Sequence, residues 1–164
     1  MSIKLYAKPL SAAEFAPFGE VIEVGDAALD INAGTAASFT DLANIDVANG
    51  AGSVSVNIYE AEARALPHAI KMMEQHPLGS QAFIPMNGQK FVTMVSPNGV
   101  TPSADNIKIF ISNGAQGINL AKGTWHHPFF ALDGGLFLVI DRKGEGNNYV
   151  EHHFDHDAFM VYEK

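Results

Sequence analysis

Gln81-Ala-Phe-Ile-Pro-Met-Asn-Gly-Gln-Lys-Phe-Val-Thr-Met-Val-Ser-Pro-Asn-Gly99 is the stretch that decides the fold class of this chain. Two runs rich in apolar, β-branched and aromatic residues, Gln81–Met86 and Lys90–Ser96, meet at Met86-Asn-Gly88, and the second ends in Pro97-Asn-Gly99. Asn and Gly tolerate the positive φ of tight hairpins, so the stretch predicts strand, turn, strand and turn. Similar runs lie on either side: Glu20–Val24, Val54–Tyr59, Ile107–Ser112 and Leu136–Asp141, each bounded by Gly, Asn, Pro or Asp. Such close succession leaves no room for parallel crossovers, which need a dozen or more residues per connection. An antiparallel sandwich or barrel follows.

Helical signals are few. Ser11-Ala-Ala-Glu14 reads as a capping box that opens a short helix, stopped by Pro17 and Gly19. Ala61–Gln75 reads as the one internal helix, because Leu66, Ile70 and Met73 recur at three- and four-residue steps, with Pro67 in its first turn. Gly25–Asn49, rich in Ala, Gly, Asp and Asn, reads as a long loop or covering segment. No repeat or linker divides the chain, so residues 1–164 are expected to form a single domain.

The 164 residues include no cysteine, seven histidines, and 10 basic against 18 acidic side chains, for a net charge of −8. A chain of this length buries roughly 70 % of its unfolded surface, enough for a core without staples. The missing thiols exclude a disulfide framework, Cys-ligated zinc, an iron–sulfur cluster and a Cys nucleophile. With Arg64 and Arg142 the only arginines and no basic cluster, nucleic acid is excluded as a partner. The opening MSIKLYAKPLSAAEF has no apolar signal-peptide region and no run approaches about 20 apolar residues, which predicts a cytoplasmic protein without a membrane partner.

Histidine is the feature above background. His68 and His76 flank the expected helix, His126-His127 follows a glycine, and His152, His153 and His156 alternate with Asp155 and Asp157 near the C-terminus. The last group reads either as a metal site or as a solvated acidic terminus. In Gly123-Thr-Trp-His-His-Pro-Phe-Phe130 the strand alternation sends Trp125 and His127 one way and Thr124 and His126 the other. One histidine therefore faces the interior of a small barrel, where Trp125 supplies an apolar wall. Asp141-Arg142 ends an apolar run; Arg142 reads as a fork for a carboxylate ligand or as a strand-end ion pair. Lys90 and Lys122 are further cationic candidates.

Glu74-x-His76-x4-Gln81-x6-Gly88 resembles the first cupin motif and Ala121-x-Gly123-x-x-His126 the second. His76 and His126 match metal-binding positions of that pattern, whereas Glu74 and Gln81 stand where another His and a Glu are usual. Longer strings are more specific. His76-Pro-Leu-Gly-Ser-Gln-Ala-Phe-Ile-Pro-Met86, Phe110-Ile-Ser-Asn-Gly114 with Gln116-Gly117, Trp125-His-His-Pro128 and Ile140-Asp-Arg142 resemble the ureidoglycolate lyase family of allantoin degradation, over nearly the whole chain.

The resemblance implies a mainly β protein, a homodimeric cupin-like antiparallel β-barrel (double-stranded β-helix, or jelly roll) with a few short helices. It implies cleavage of (S)-ureidoglycolate to glyoxylate and urea, with a divalent metal, nickel, as associated cofactor and no organic cofactor. On this reading His126 or His127 is the base, and Asp141 orients a histidine or acts as the acid. Arg142 or Lys90 holds the substrate carboxylate, Gln81 hydrogen-bonds the ureido group, and Trp125 walls the pocket. If metal is present, His76, His126 and Glu74 are its ligands and His127 becomes the acid–base group. Two other classes compete: a non-catalytic cupin that binds a small carboxylate or sugar, and a metal-dependent cupin isomerase or dioxygenase, which would keep the full His and Glu ligand set.

Overall fold

The computed structural model describes residues 2–155 and 159–163. Its strands are numbered along the chain. A seven-stranded sheet runs β16 (Val150–His153), β8 (Met72–Gln75), β13 (Trp125–His126), β10 (Phe91–Ser96), β11 (Lys108–Ile111) and β2 (Lys8–Pro9), with β14 (Phe130–Ala131) also paired to β10. A five-stranded sheet runs β3 (Gly19–Ile22), β12 (Gly117–Leu120), β9 (Gln81–Pro85), β15 (Gly135–Lys143) and β6 (Ser53–Ala61). A smaller sheet runs β1 (Ile3–Tyr6), β17 (Phe159–Tyr162) and β7 (His68–Ile70), and β4 (Leu29–Ile31) pairs with β5 (Ala36–Ser38).

The two large sheets stack face to face in a cupin-like arrangement, and side-chain alternation explains why. On β10, Phe91 and Val95 point toward the five-stranded sheet, where Phe83, Ile118, Phe137 and Val139 complete an inner core. Val92 and Met94 point the other way, against Ile70, Phe159 and Val161 of the smaller sheet. With both faces covered, all six residues of β10 are buried, which accounts for its nearly unbroken apolar sequence. Phe129 closes the inner core, its ring 4.6 Å from Phe83 and 4.7 Å from Phe137. Helix α1 (Ala12–Phe15) forms as expected: Ser11 Oγ accepts from the Glu14 N–H at 3.4 Å, and Phe15 plugs the core edge-on to Phe110.

The expected strands are all present with small shifts in their ends, but the helix over Ala61–Gln75 is not. That segment is the end of β6, then β7 and β8. Ile70 and Met73 are both fully buried in the outer core, so their spacing reflects a real shared face. It arises from two strands that meet at Lys71, because β7 pairs with β17 while β8 is paired on both sides, by β13 and β16. Three apolar residues cannot tell that arrangement from one helical face. Gly25–Asn49 is a covering segment with the small β4–β5 hairpin in it, tied down where Asn119 Nδ2 donates to Asn44 O at 2.9 Å.

Two polar clips hold the layers. Arg142 is buried at 8 % exposure, and its guanidinium donates to the carbonyls of Asn49 (3.0 and 2.7 Å), Gly50 (3.3 Å) and Glu145 (2.9 Å). Its side chain runs through a channel of glycines: a Cβ at Gly79 would lie 2.6 Å from Arg142 Cβ. On the other side, His68 Nε2 and His127 Nε2 are 3.1 Å apart. His127 Nδ1–H donates to Pro128 O at 2.7 Å, so a neutral His127 accepts at Nε2 from His68 Nε2–H; of that His68 nitrogen's two neighbours His127 Nε2 is the closer, with Arg64 Nη2 at 3.4 Å. The clip therefore needs a neutral His127. Burial, helped by the charges of His68 and Arg64, lowers the His127 pKa to about 4; burial, Arg64 and Lys71 lower that of His68.

Each clip makes a prediction. Arg142→Met strands buried carbonyl acceptors and should lower unfolding free energy by about 2–4 kcal/mol, read by urea denaturation. The folded His127 pKa lies below the unfolded value near 6.5, so the unfolded chain binds the extra proton between them. Stability from this group is complete above about pH 6.5 and is lost as pH falls toward 4, by at most about 3 kcal/mol. Denaturation midpoints measured from pH 7 to 4 should fall, and should fall less steeply in His127→Leu.

Candidate active site

The inward face of the seven-stranded sheet carries a row of polar residues at one end. Register sets His126 of β13 beside Glu74 of β8, and Glu74 beside Glu151 of β16. His76 follows β8 on the same face, its ring 5.1 Å from that of His126. His126 Nε2 is 3.5 Å from Glu74 Oε1. One ligand atom each from Glu74, His76 and His126 can be chosen so that all lie within 4.8 Å of one another.

The backbone fixes which nitrogen faces inward. His76 Nδ1–H donates to Asn148 O at 2.7 Å, and His126 Nδ1–H donates to Thr124 O at 2.9 Å. Each Nε2 then carries a lone pair, and both are buried without a hydrogen-bond partner. A buried acceptor left open is unfavourable by roughly 1–3 kcal/mol, so such a pair points to a ligand. Two imidazole lone pairs and a carboxylate, with both rings oriented from behind by carbonyls, fit a divalent cation such as zinc, nickel or iron. Burial would raise the Glu74 carboxyl, but the neighbouring His126 imidazole, with Tyr149 and His76, holds it below the usual carboxylate value. Burial and His126 lower His76 against the opposing pull of Asn148 O, Glu74 and Asp141.

The five-stranded sheet supplies the facing wall. Gln81 is buried on β9, and its Oε1 also lacks a partner. Asp141 on β15 points inward on the alternation shared with Phe137 and Val139, and its Oδ1 accepts from Asn57 Nδ2 at 3.0 Å. Tyr59, next inward along β6, feels both carboxylates: burial, then Asp141 and Glu74, raise its pKa. Tyr149 stands at the rim, 6.1 Å from the His76 ring.

The structure thus brings together Glu74, His76, Gln81, His126 and Asp141. It does not bring in the other expected site residues. His126 is the histidine that faces inward; Trp125 and His127 point to the outer core, where Trp125 meets His152 and His127 meets His68. Arg142 alternates away from Asp141 and donates its guanidinium to backbone carbonyls. Lys90 is exposed at the far end of β10, five residues from Val95, or roughly 17 Å along a strand. Lys122 pairs with Asp46 at 2.9 Å. Of the C-terminal histidines and acids, His153 meets Glu151 at 2.8 Å, whereas His156 and Asp157 lie outside the described residues.

Sequence reasoning missed Asn57, Tyr59, Asn148, Tyr149 and Glu151. A signal existed for the first two. In Ser53–Ala61 the apolar Val54, Val56 and Ile58 alternate with Ser55, Asn57 and Tyr59, and it is the polar set that faces inward, toward Asp141.

The chain is also similar to known proteins along nearly its whole length. Residues 2–161 match the family model described as "Ureidoglycolate lyase". Over 160 residues the chain is 43 % identical to a "Ureidoglycolate lyase" of Pseudomonas syringae pv. syringae (strain B728a), which covers 96 % of this chain and 94 % of that one. It is 45 % identical over 159 residues to the protein of that name in Azotobacter vinelandii (strain DJ / ATCC BAA-1303), covering 96 % of each, and 44 % identical to one from Burkholderia mallei (strain NCTC 10229), covering 96 % and 93 %. A match that runs from β1 into β17, through every strand that carries the site, means that the chain belongs to the ureidoglycolate lyase family.

Proposed function

We propose that the protein splits ureidoglycolate, the (S) isomer, into glyoxylate and urea, and that the inward group of Glu74, His76, Gln81, His126 and Asp141 is where it does so. The observation that carries the reading is the pair of buried open acceptors His76 Nε2 and His126 Nε2, on rings 5.1 Å apart, grouped with the Glu74 carboxylate. Ureidoglycolate is a hemiaminal whose central carbon bears a hydroxyl, a carboxylate and a ureido nitrogen. Cleavage breaks the O–H bond, forms C=O, breaks C–N and forms N–H. The proton moves from oxygen to nitrogen, so nothing is consumed.

The donor set supports a resident divalent cation, nickel on the family resemblance, held by Glu74, His76 Nε2 and His126 Nε2. When bound it supplies positive charge for the hydroxyl and carboxylate oxygens of the substrate. That charge is needed, because Arg142, Lys90 and Lys122 are engaged or exposed elsewhere while Glu74 and Asp141 are both acidic. His126 Nε2 has a single lone pair, so it either ligates or takes a proton. With the cation present, proton transfer falls to Asp141, which accepts from the hydroxyl and returns the proton to the departing nitrogen. Gln81 Oε1 accepts from the ureido N–H groups and turns the leaving group toward Asp141. The setting we infer is allantoin degradation in the cytoplasm.

The same proposal includes a homodimer. Val54, Val56 and Ile58 on the edge strand β6 are 48 %, 66 % and 58 % exposed, and Leu136 on β15 is 43 % exposed beside them. An apolar sheet face of this kind supports packing against its twofold copy.

Purified protein given racemic ureidoglycolate should release glyoxylate and urea, lose activity to a chelator and regain it with nickel. His126→Ala and Asp141→Asn should each lower turnover at least about a hundredfold in folded protein. Ammonia in place of urea, or no consumption of substrate, overturns the reading. Light scattering should give twice the chain mass for the native protein and the single-chain mass for Ile58→Glu.

A further inference from the structure

We propose that a cavity on the outer face of the seven-stranded sheet, behind Glu74, His76 and His126, is a second small-molecule site. It takes an uncharged planar heterocycle with ring amide groups, and its occupant acts through the sheet on the reactive centre, a step that rests on reading those three residues as that centre.

Three strands and one loop build the cavity, whose volume is about 280 Å³. Antiparallel register sets His126 beside Glu74, and so Trp125 beside Gln75 on the opposite face. His152 of β16 shares that outer face beside Met73, its ring 6.1 Å from the indole and tilted 69° to it. The loop after β10 closes the far side with Asn98, Val100, Thr101 and Pro102. Asn106 holds the loop in shape: its Oδ1 accepts from Ser96 Oγ at 2.8 Å and from Ser103 N–H at 2.9 Å, and its Nδ2 donates to Thr101 O at 2.9 Å. The walls therefore stand without an occupant.

Their chemistry selects the ligand. The indole, the imidazole and the apolar Val100 and Pro102 suit a flat ring, and the size, just under the roughly 300–1,000 Å³ of drug-sized sites, suits one or two rings. The carboxamides of Gln75 and Asn98 each offer a donor and an acceptor, the complement of a ring N–H beside a C=O. Neither side chain is hydrogen-bonded to another described residue. No lysine, arginine or carboxylate lines the cavity among the described residues, so a charged occupant would lose water without gaining a counter-charge.

The same walls are the backs of the reactive residues. Gln75 lies between Glu74 and His76, Trp125 precedes His126, and His152 follows Glu151. Asn98 reaches further. Its carboxamide fills the space over Gly123, where a Cβ would lie 2.6 Å from Asn98 Cγ. Gly123 N–H donates to His76 O at 2.9 Å, and the next residue supplies Thr124 O, which takes the His126 Nδ1 proton. A ligand that engages Asn98 thus bears on the backbone that holds both histidines.

Trp125 is the only tryptophan of the chain, so its fluorescence reports on this cavity alone. Metal-free protein is titrated with uracil, with orotate as the carboxylate counterpart and acetamide as the ringless one. Uracil should give a saturable change, with affinity at least about tenfold weaker for orotate and for acetamide. The response should be lost in Gln75→Leu, which removes a carboxamide, and in Val100→Phe, which blocks the mouth; thermal midpoints near the parent's verify both folds. Saturating uracil should shift the His126 ring-nitrogen resonances and change the rate of glyoxylate release in the parent but not in Val100→Phe. No saturable response to uracil, equal binding of orotate or acetamide, a response that survives both variants, or resonances and rate left unchanged by uracil overturns the proposal. Fluorescence and resonances need no turnover. A protein that binds uracil and shifts His126 yet releases no glyoxylate contradicts the lyase reading and leaves this site standing; one that releases glyoxylate and ignores uracil does the reverse.

Discussion

Two hydrogen bonds to main-chain carbonyls set which nitrogen each inward histidine offers. By giving their Nδ1 protons to Asn148 O and Thr124 O, His76 and His126 commit their other nitrogens to being open acceptors in a place closed to bulk solvent. A histidine free to rotate would bury either a proton or a lone pair as convenient. These two have no such choice, because the carbonyls belong to the segments that bracket the site: Thr124 just before β13, Asn148 just before β16. The Asn148 side chain adds to the brace by accepting from Leu78 N–H at 2.8 Å. The loop after His76 is thereby held to the segment that leads into β16. Fold and site depend on the same contacts.

The same logic explains how much the sequence disclosed. Strands punctuated by Asn-Gly turns are local features, and the class of fold was legible in Gln81–Gly99. His76 and His126 were legible too, as members of spaced motifs. What sequence could not decide was direction. For His126-His127 the answer depends on whether His127 finds its partner, and that partner is His68, fifty-nine positions away on another sheet. Arg142 looked like a ligand for an anion because arginines are scarce here; the glycines at 52, 79 and 144 that clear its channel become a group only in the fold. The helix expected over Ala61–Gln75 failed for the reverse reason: its apolar spacing was real, but its meaning came from strands elsewhere in the chain.

Charge is distributed accordingly. An acidic protein that handles an acid would be expected to place a guanidinium or ammonium in its site, and the cationic side chains singled out in the sequence lie elsewhere. Arg142 stabilises the segments behind β15, and Lys122 fastens Asp46 and Asn49 to the turn before β13. Inside, imidazoles and carboxylates predominate. Such a set favours positive charge over negative, so the donor set and an anionic substrate make opposite demands, which a divalent ion would reconcile.

Strand β6 has a consequence for the newly made chain. Its polar residues are turned in and its apolar residues out, and its free edge has backbone groups unpaired by the five-stranded sheet. Until that face is covered, a folded chain leaving the ribosome displays a nine-residue strand with both an open edge and a greasy side, the combination that templates aggregation. Rising concentration then brings such strands on separate, incompletely folded chains together. The inverted strand makes the yield of folded protein depend on how dilute the chain is while it folds.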